Sequence, residues 1–131
     1  MGPGKLALSE PAGTSHLKSI QSTSFMIKSI QDKILLTDNL VSLRNANAGK
    51  KIVFCTGFYD ILQSGHAVFF NQCRQFGDLL VVGIGRDRVI EELKGHGRPV
   101  NPENNRLYLV ASLQDVDFDF EYSNIKQLNK I

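Results

Sequence analysis

Gly57-Phe58-Tyr59-Asp60-Ile61-Leu62-Gln63-Ser64-Gly65-His66 stands between the apolar run Lys51-Ile52-Val53-Phe54-Cys55-Thr56 and an apolar-rich stretch with helical spacing. The order is strand, loop, helix. At such a junction in an α/β protein, the unpaired N–H groups of the loop and of the first helical turn face a crevice at the strand's C-terminal end. That crevice suits a phosphate-bearing ligand, here a nucleotide. Gly57 allows close backbone approach to a phosphate, Asp60 is an acidic residue in the turn, and Gly65 permits tight packing where the helix starts. His66 lies in the first turn, where its ring and the local dipole can face an anion. The same residues also fit a structural role, with His66 capping the helix and Asp60 bracing the turn, and spacing alone leaves both open.

Outward from the loop, Lys51 to Thr56 has the continuous apolar centre of a buried parallel strand. Phe69, Phe70, Cys73 and Phe76 mark one buried face of a helix over His66 to Phe76, which Gly77 stops. Asp78 to Ile84 is a second buried strand, completing a βαβ unit. A short helix over Arg86 to Leu93 follows, then the loop Lys94-Gly95-His96-Gly97-Arg98-Pro99. Asn101 can cap the next helix and Pro102 suits its first turn, with Leu107, Val110 and Leu113 on one face. Val116-Asp117-Phe118-Asp119-Phe120 alternates as a third strand, and Glu121 to Ile131 is polar and aperiodic.

Before the first strand, Met26 to Leu43 shows a broken helical spacing, with Thr37 or Asp38 as N-cap of a short helix through Asn45. Residues 26–50 are expected to form a helical lead-in to a domain over 51–131. Residues 1–25 are rich in Gly, Pro, Ser and Thr and cannot bury enough to offset their ordering entropy. They are expected to be a disordered leader or added segment.

At 131 residues the chain accommodates one core. The net charge of +2 is uneven: residues 1–50 carry six Lys and Arg against three Asp and Glu, and residues 51–131 carry nine against ten. The near-neutral folded part argues against a nucleic-acid interface, which needs clustered cations. Cys55 and Cys73 lack a CxxC or His-pair context and are expected as buried free thiols of a reducing compartment, with no metal site. No apolar run approaches the roughly 18 residues of a membrane span, and no signal-peptide centre is present, so a cytoplasmic protein is expected. Gly83-Ile84-Gly85 lacks the third glycine of a dinucleotide fingerprint and fits ordinary strand-end glycines.

Lys94, Arg98 and Arg106 each fit a solvated surface cation. Together, near the strands' C-terminal ends, they could converge on a polyphosphate, and the glycines around Lys94 allow closure. His96 fits an exposed loop.

Thr56-Gly57-Phe58-Tyr59-Asp60-Ile61-Leu62-Gln63-Ser64-Gly65-His66 resembles the GxFDxxHxGH stretch of cytidylyltransferase-like nucleotidyltransferases. Leu93-Lys94-Gly95-His96-Gly97-Arg98-Pro99-Val100-Asn101-Pro102-Glu103-Asn104-Asn105-Arg106 resembles the second block of one branch, the heptose-1-phosphate adenylyltransferase domain of ADP-heptose synthase. The resemblance covers about residues 33–120, and two ordered blocks at matching separation are more specific than either alone.

The resemblance implies a Rossmann-like, doubly wound parallel sheet of the HxGH nucleotidyltransferase type, truncated at the C-terminus relative to the family. It implies transfer of a nucleotidyl group, AMP or CMP, from a nucleoside triphosphate with Mg²⁺ to a sugar phosphate or similar phosphorylated small molecule, releasing pyrophosphate. Such chemistry rests on positioning and charge neutralisation, since the acceptor phosphate itself attacks. By position, His66, Lys94 and Gln63 would be catalytic, and Thr56, Gly57, Phe58, Tyr59, Asp60, Gly65, His66 and Arg106 would bind the nucleotide, with Asp60 ordering the loop or a metal. The sequence departs from the pattern at Gln63, where the family has its first histidine, and at Phe58 and Tyr59, where it has a small residue and Phe. Gln63 donates a hydrogen bond but carries no charge, and losing one such stabiliser typically costs about 10²–10³ in rate. A catalytically degenerate nucleotide-binding or interaction module is the alternative. A short sheet with an open edge and an uncovered apolar face further implies a homodimer or larger homo-oligomer.

Overall fold

In the computed structural model, residues 29–128 are described. The leader assigned to residues 1–25 lies outside them. A 3-10 turn over Ile30–Lys33 leads into β1 (Ile34–Leu35), and a second over Thr37–Asn39 leads into α1 (Leu40–Ala46). Then follow β2 (Ile52–Gly57), α2 (Ser64–Arg74), β3 (Leu79–Gly85), α3 (Asp87–Lys94), α4 (Glu103–Ala111), β4 (Phe118–Tyr122) and α5 (Ile125–Leu128).

The four strands form one parallel sheet in the order β1-β4-β3-β2. The three strands expected from the sequence are parallel, as anticipated, and the α/β doubly wound class holds. The segment read as a helical lead-in also contains a strand: Ile34 and Leu35 pair with Asp119 and Phe120. The third strand starts two residues later than expected and runs to Tyr122, and a helical turn follows in the stretch read as aperiodic.

Both faces of the sheet are apolar. On one, Phe70 of α2 and Leu107 and Val110 of α4 pack against Leu80, Val82 and Ile84 of β3. On the other, Leu40 of α1 meets Val81, Phe120 and Tyr122. Central β3 is buried along nearly its whole length, as a parallel strand covered on both faces should be. Edge strand β2 is half-buried, and its Phe54 remains 40% exposed. Among the described residues, no helix is long and apolar enough to cross a membrane.

Candidate nucleotide site

The Gly57–His66 loop leaves the C-terminal end of β2 and enters α2 at Ser64, two residues earlier than the apolar spacing suggested. Gln63 is the N-cap residue, and its backbone N–H donates to His66 Nδ1 at 3.0 Å. This bond satisfies one of the donors exposed at the helix start. It also fixes the ring: with Nδ1 accepting, the neutral imidazole carries its proton on Nε2, the nitrogen left to donate to a ligand. Tyr59 packs edge-on against the His66 ring, with centroids 5.5 Å apart.

Tyr59 adopts a left-handed φ of 52°, which turns the chain sharply after β2. Its ring lies over Gly57, where an added Cβ would stand 2.7 Å from it. The open backbone approach expected at Gly57 is therefore taken up by the chain's own aromatic ring. Phe58 does the same at the end of β3, with its ring 2.7 Å from the place of a Cβ on Gly85. Burial raises the Tyr59 hydroxyl far above the usual phenol range, and the same cause pushes the Cys55 thiol up to about 11. Cys55 and Cys73 are free and half-buried.

Asp60 joins the two sequence blocks. Its carboxylate accepts the backbone N–H of Val100 at 2.9 and 3.0 Å and that of Asn101 at 2.8 Å, and the Asn101 side chain donates back to the Asp60 carbonyl. Arg98 adds an ion pair at 3.6 Å. Partial burial works against the charge, but the two N–H donors and the nearby Arg106 and Arg98 outweigh it and hold the carboxyl below the usual range. Asn101, expected as a helix cap, serves this bracket instead, and Pro102 occupies the N-cap position of α4.

Arg106 is 0% exposed. Its guanidinium donates to the carbonyls of Asn101 at 2.9 Å, Phe58 at 2.9 Å and Gly85 at 2.8 Å, and pairs with Asp87 at 2.6 Å. Four of its five N–H donors tie together the ends of β2 and β3 and the starts of α3 and α4, so the residue expected to converge on a polyphosphate is buried among the chain's own acceptors. Lys94 remains available at the end of α3, its ammonium 5.5 Å from the centroid of the Phe58 ring. His96 is 97% exposed beside Glu91, in keeping with a loop residue.

The structure thus brings together Phe58, Tyr59, Asp60, Gln63, His66 and Lys94 at one end of the sheet, with Thr56, Gly57 and Gly65 supplying backbone. Asn101, which lies within the second block and was expected as a helix cap, and Asp87, which carried no sequence signal, belong to the same assembly. Near it, an open cleft of about 510 Å³ is lined by Arg86, Arg88, Asp87 and Glu103 at the starts of α3 and α4. Arg86 there is paired with Glu121 at 2.6 Å. Among the described residues, no group of three His, Cys, Asp or Glu could hold a metal ion, and the Asp60 carboxylate is committed to Val100, Asn101 and Arg98.

Residues 54–130 match the family model described as Cytidylyltransferase-like. The bifunctional protein HldE of a Nitratiruptor species is 36% identical over 111 residues, which are 82% of this chain and 24% of that protein. The HldE protein of Campylobacter fetus subsp. fetus is 41% identical over 99 residues, 76% of this chain and 21% of that protein. The chain therefore spans about a quarter or less of the length of these relatives. A solved lipopolysaccharide core biosynthesis protein from Thermoplasma volcanium superposes with a TM-score of 0.57 at 30% identity, covering 63% of this chain and 66% of that one. By the match over residues 54–130 and the fold it accompanies, the chain belongs to the cytidylyltransferase-like family.

Proposed function

We propose that the protein is a nucleotidyltransferase that moves AMP or CMP from a nucleoside triphosphate to a sugar phosphate or similar phosphorylated small molecule, with release of pyrophosphate. The observation that carries this is the Asp60–Asn101–Arg106 bracket, which holds the two sequence blocks of the family together at the C-terminal end of β2 and β3. Relatives named as bifunctional HldE and a neighbour named for lipopolysaccharide core biosynthesis support a sugar-phosphate acceptor.

His66, with Nδ1 anchored, donates from Nε2 to the α-phosphate as negative charge builds there. Lys94 neutralises the leaving polyphosphate, and Gln63 donates a hydrogen bond to the same charge. The acceptor phosphate attacks phosphorus directly, so no protein nucleophile is needed. Asp60 and Arg106 position the loop rather than touch ligand. Mg²⁺ enters as the partner of the triphosphate, since it is readily bound through phosphate oxygens and water with few protein carboxylates. The working unit is a cytoplasmic homodimer or larger homo-oligomer whose ligands are these small molecules rather than nucleic acid.

The second reading, a nucleotide-binding module without turnover, is favoured by Gln63 and by the Tyr59 and Phe58 rings packed on Gly57 and Gly85. Thermal shift with ATP and CTP in the presence of Mg²⁺, followed by pyrophosphate release with sugar phosphates, decides between them. A ligand at 100 times its Kd adds about 2.7 kcal/mol of stability. Stabilisation without pyrophosphate selects the module, and the absence of both overturns nucleotide recognition.

A further inference from the structure

Phe58 is the first residue beyond β2, and its surroundings fix where its ring lies. Its carbonyl accepts an N–H of the buried Arg106 guanidinium at 2.9 Å, and the same nitrogen donates to the Gly85 carbonyl at 2.8 Å. The ends of β2 and β3 are therefore clamped at these two residues. The Cδ1–Cε1 edge of the ring rests on Gly85, 2.7 Å from the place of a Cβ, in space that any side chain at that position would take. Over the ring lies the Lys94 ammonium, 5.5 Å from the centroid. Lys94 is the last residue of α3, and Gly95, with a left-handed φ of 91°, turns the chain directly after it. Among the described residues no carboxylate pairs with this ammonium, and the ring is its partner.

We propose that Phe58 is a positioning residue for polyphosphate recognition, its ring serving as the platform that holds the Lys94 ammonium at the C-terminal end of β2 and β3. The proposal rests on the triphosphate reading above and adds the residue that orders its cation. A lysine side chain left to itself samples many rotamers, and a ligand that collects it bears the cost of ordering it. A ring face within about 6 Å attracts the ammonium and restricts it beforehand. The contact does not compete with phosphate: an ammonium has three N–H donors, and those turned away from the ring stay free for phosphate oxygens. Arg106 and Gly85 place the ring, the ring places Lys94, and only Lys94 meets the ligand.

NMR of the full chain without ligand tests the platform itself. The Lys94 ε-methylene protons should be shifted upfield by the ring current, and Phe58→Leu should return them to the position of a free lysine. Calorimetry with ATP and adenosine, or CTP and cytidine, tests its use. Phe58→Leu should lower the preference for triphosphate over nucleoside about two- to fivefold, the range expected of an exposed cation–π contact. In a Lys94→Ala background it should lower that preference no further. Phe58→Tyr, which keeps the ring face, should restore both the upfield shift and the preference. An unshifted Lys94 in the natural protein overturns the platform, as does an equal loss from Phe58→Leu with and without Lys94, or a triphosphate bound more tightly by Phe58→Leu. Shifted Lys94 protons in a protein whose Lys94→Ala variant keeps its full triphosphate preference uphold the contact and overturn the phosphate role given to Lys94 above.

Discussion

The carboxylate of Asp60 accepts the backbone N–H of Asn101 at 2.8 Å across 41 residues of chain, and so couples the first motif to the second. Asp60→Asn replaces one of the two accepting oxygens with a donor, which leaves the N–H of Val100 or Asn101 short of a partner. The expected loss is about 1–3 kcal/mol, or roughly 4–8 °C in Tm per kcal/mol. Because the folded carboxyl titrates below its ordinary value, its contribution is complete above about pH 4 and is lost as pH falls through the lower folded value. Denaturant titrations from pH 7 down to pH 3 should show this acid-side loss in the natural protein, and Asp60→Asn should flatten it.

Arg106 and Lys94 should separate cleanly in binding. With its guanidinium buried and bonded to three carbonyls and Asp87, Arg106 supports the loop, and Arg106→Met is expected to cost about 3–5 kcal/mol of stability. Where Arg106→Lys still folds, it should weaken nucleoside and nucleoside triphosphate equally. Lys94→Ala should leave Tm nearly unchanged and weaken the triphosphate much more than the nucleoside, because only the triphosphate presents charge to the ammonium. Calorimetric Kd values for the four combinations check this, and a preferential loss of triphosphate binding in Arg106→Lys would falsify the support role.

Asp119 provides the opposite pH dependence. It lies on β4 between Ile34 of β1 and Val82 of β3, is 0% exposed, and neither carboxylate oxygen has a hydrogen-bond partner among the described residues. Burial pushes it up to about 8, with Lys33 opposing the shift in part. The folded state therefore keeps a proton that the unfolded chain releases near pH 4, and stability should fall as pH rises from about 4 to 8. Asp119→Val removes the stranded group and should stabilise the fold by about 1–3 kcal/mol at pH 7 while abolishing that slope. Equilibrium unfolding of both proteins at pH 5, 7 and 8.5 tests it; a pH-independent difference would sink the assignment.

The same residue shows where sequence reading reaches its end. The alternation Phe118-Asp119-Phe120 correctly sets aspartate and phenylalanine on opposite faces, and in isolation implies a solvated aspartate. What it cannot carry is that β4 lies inside the sheet between β1 and β3, with α4 packed over the face that Asp119 shares with Val82. Ile34 and Leu35 fall within a helix-like spacing, and two residues are too few for a period of two to register; their strand exists only through pairing with Asp119 and Phe120. Arg106 reads as a surface cation because its burial involves two carbonyls distant in sequence, those of Phe58 and Gly85. By contrast, the order strand, loop, helix, strand from β2 to β3 was legible, since continuous apolar runs and a helix start within two residues of His66 are local features. The Asp60 bracket lay between these cases: the resemblance placed its two blocks in order, and only the fold showed that Asn101 joins them.

Gln63 offers the sharpest separation of enzyme from relic. Its backbone N–H, not its side chain, holds His66 Nδ1, so Gln63→His keeps the anchor of the second imidazole while adding a chargeable ring at the helix start. If the site is otherwise competent, that ring acts where charge develops in the transition state. Turnover should then rise about 10²-fold, with triphosphate affinity little changed. His66→Ala should abolish the turnover of both backgrounds while stability drops only by the cost of one lost cap, about 1 kcal/mol. Single-turnover pyrophosphate release alongside calorimetric Kd distinguishes the cases. A rise in kcat at constant Kd identifies a weakened transferase, and nucleotide binding with no pyrophosphate from either protein replaces the enzyme with the binding module.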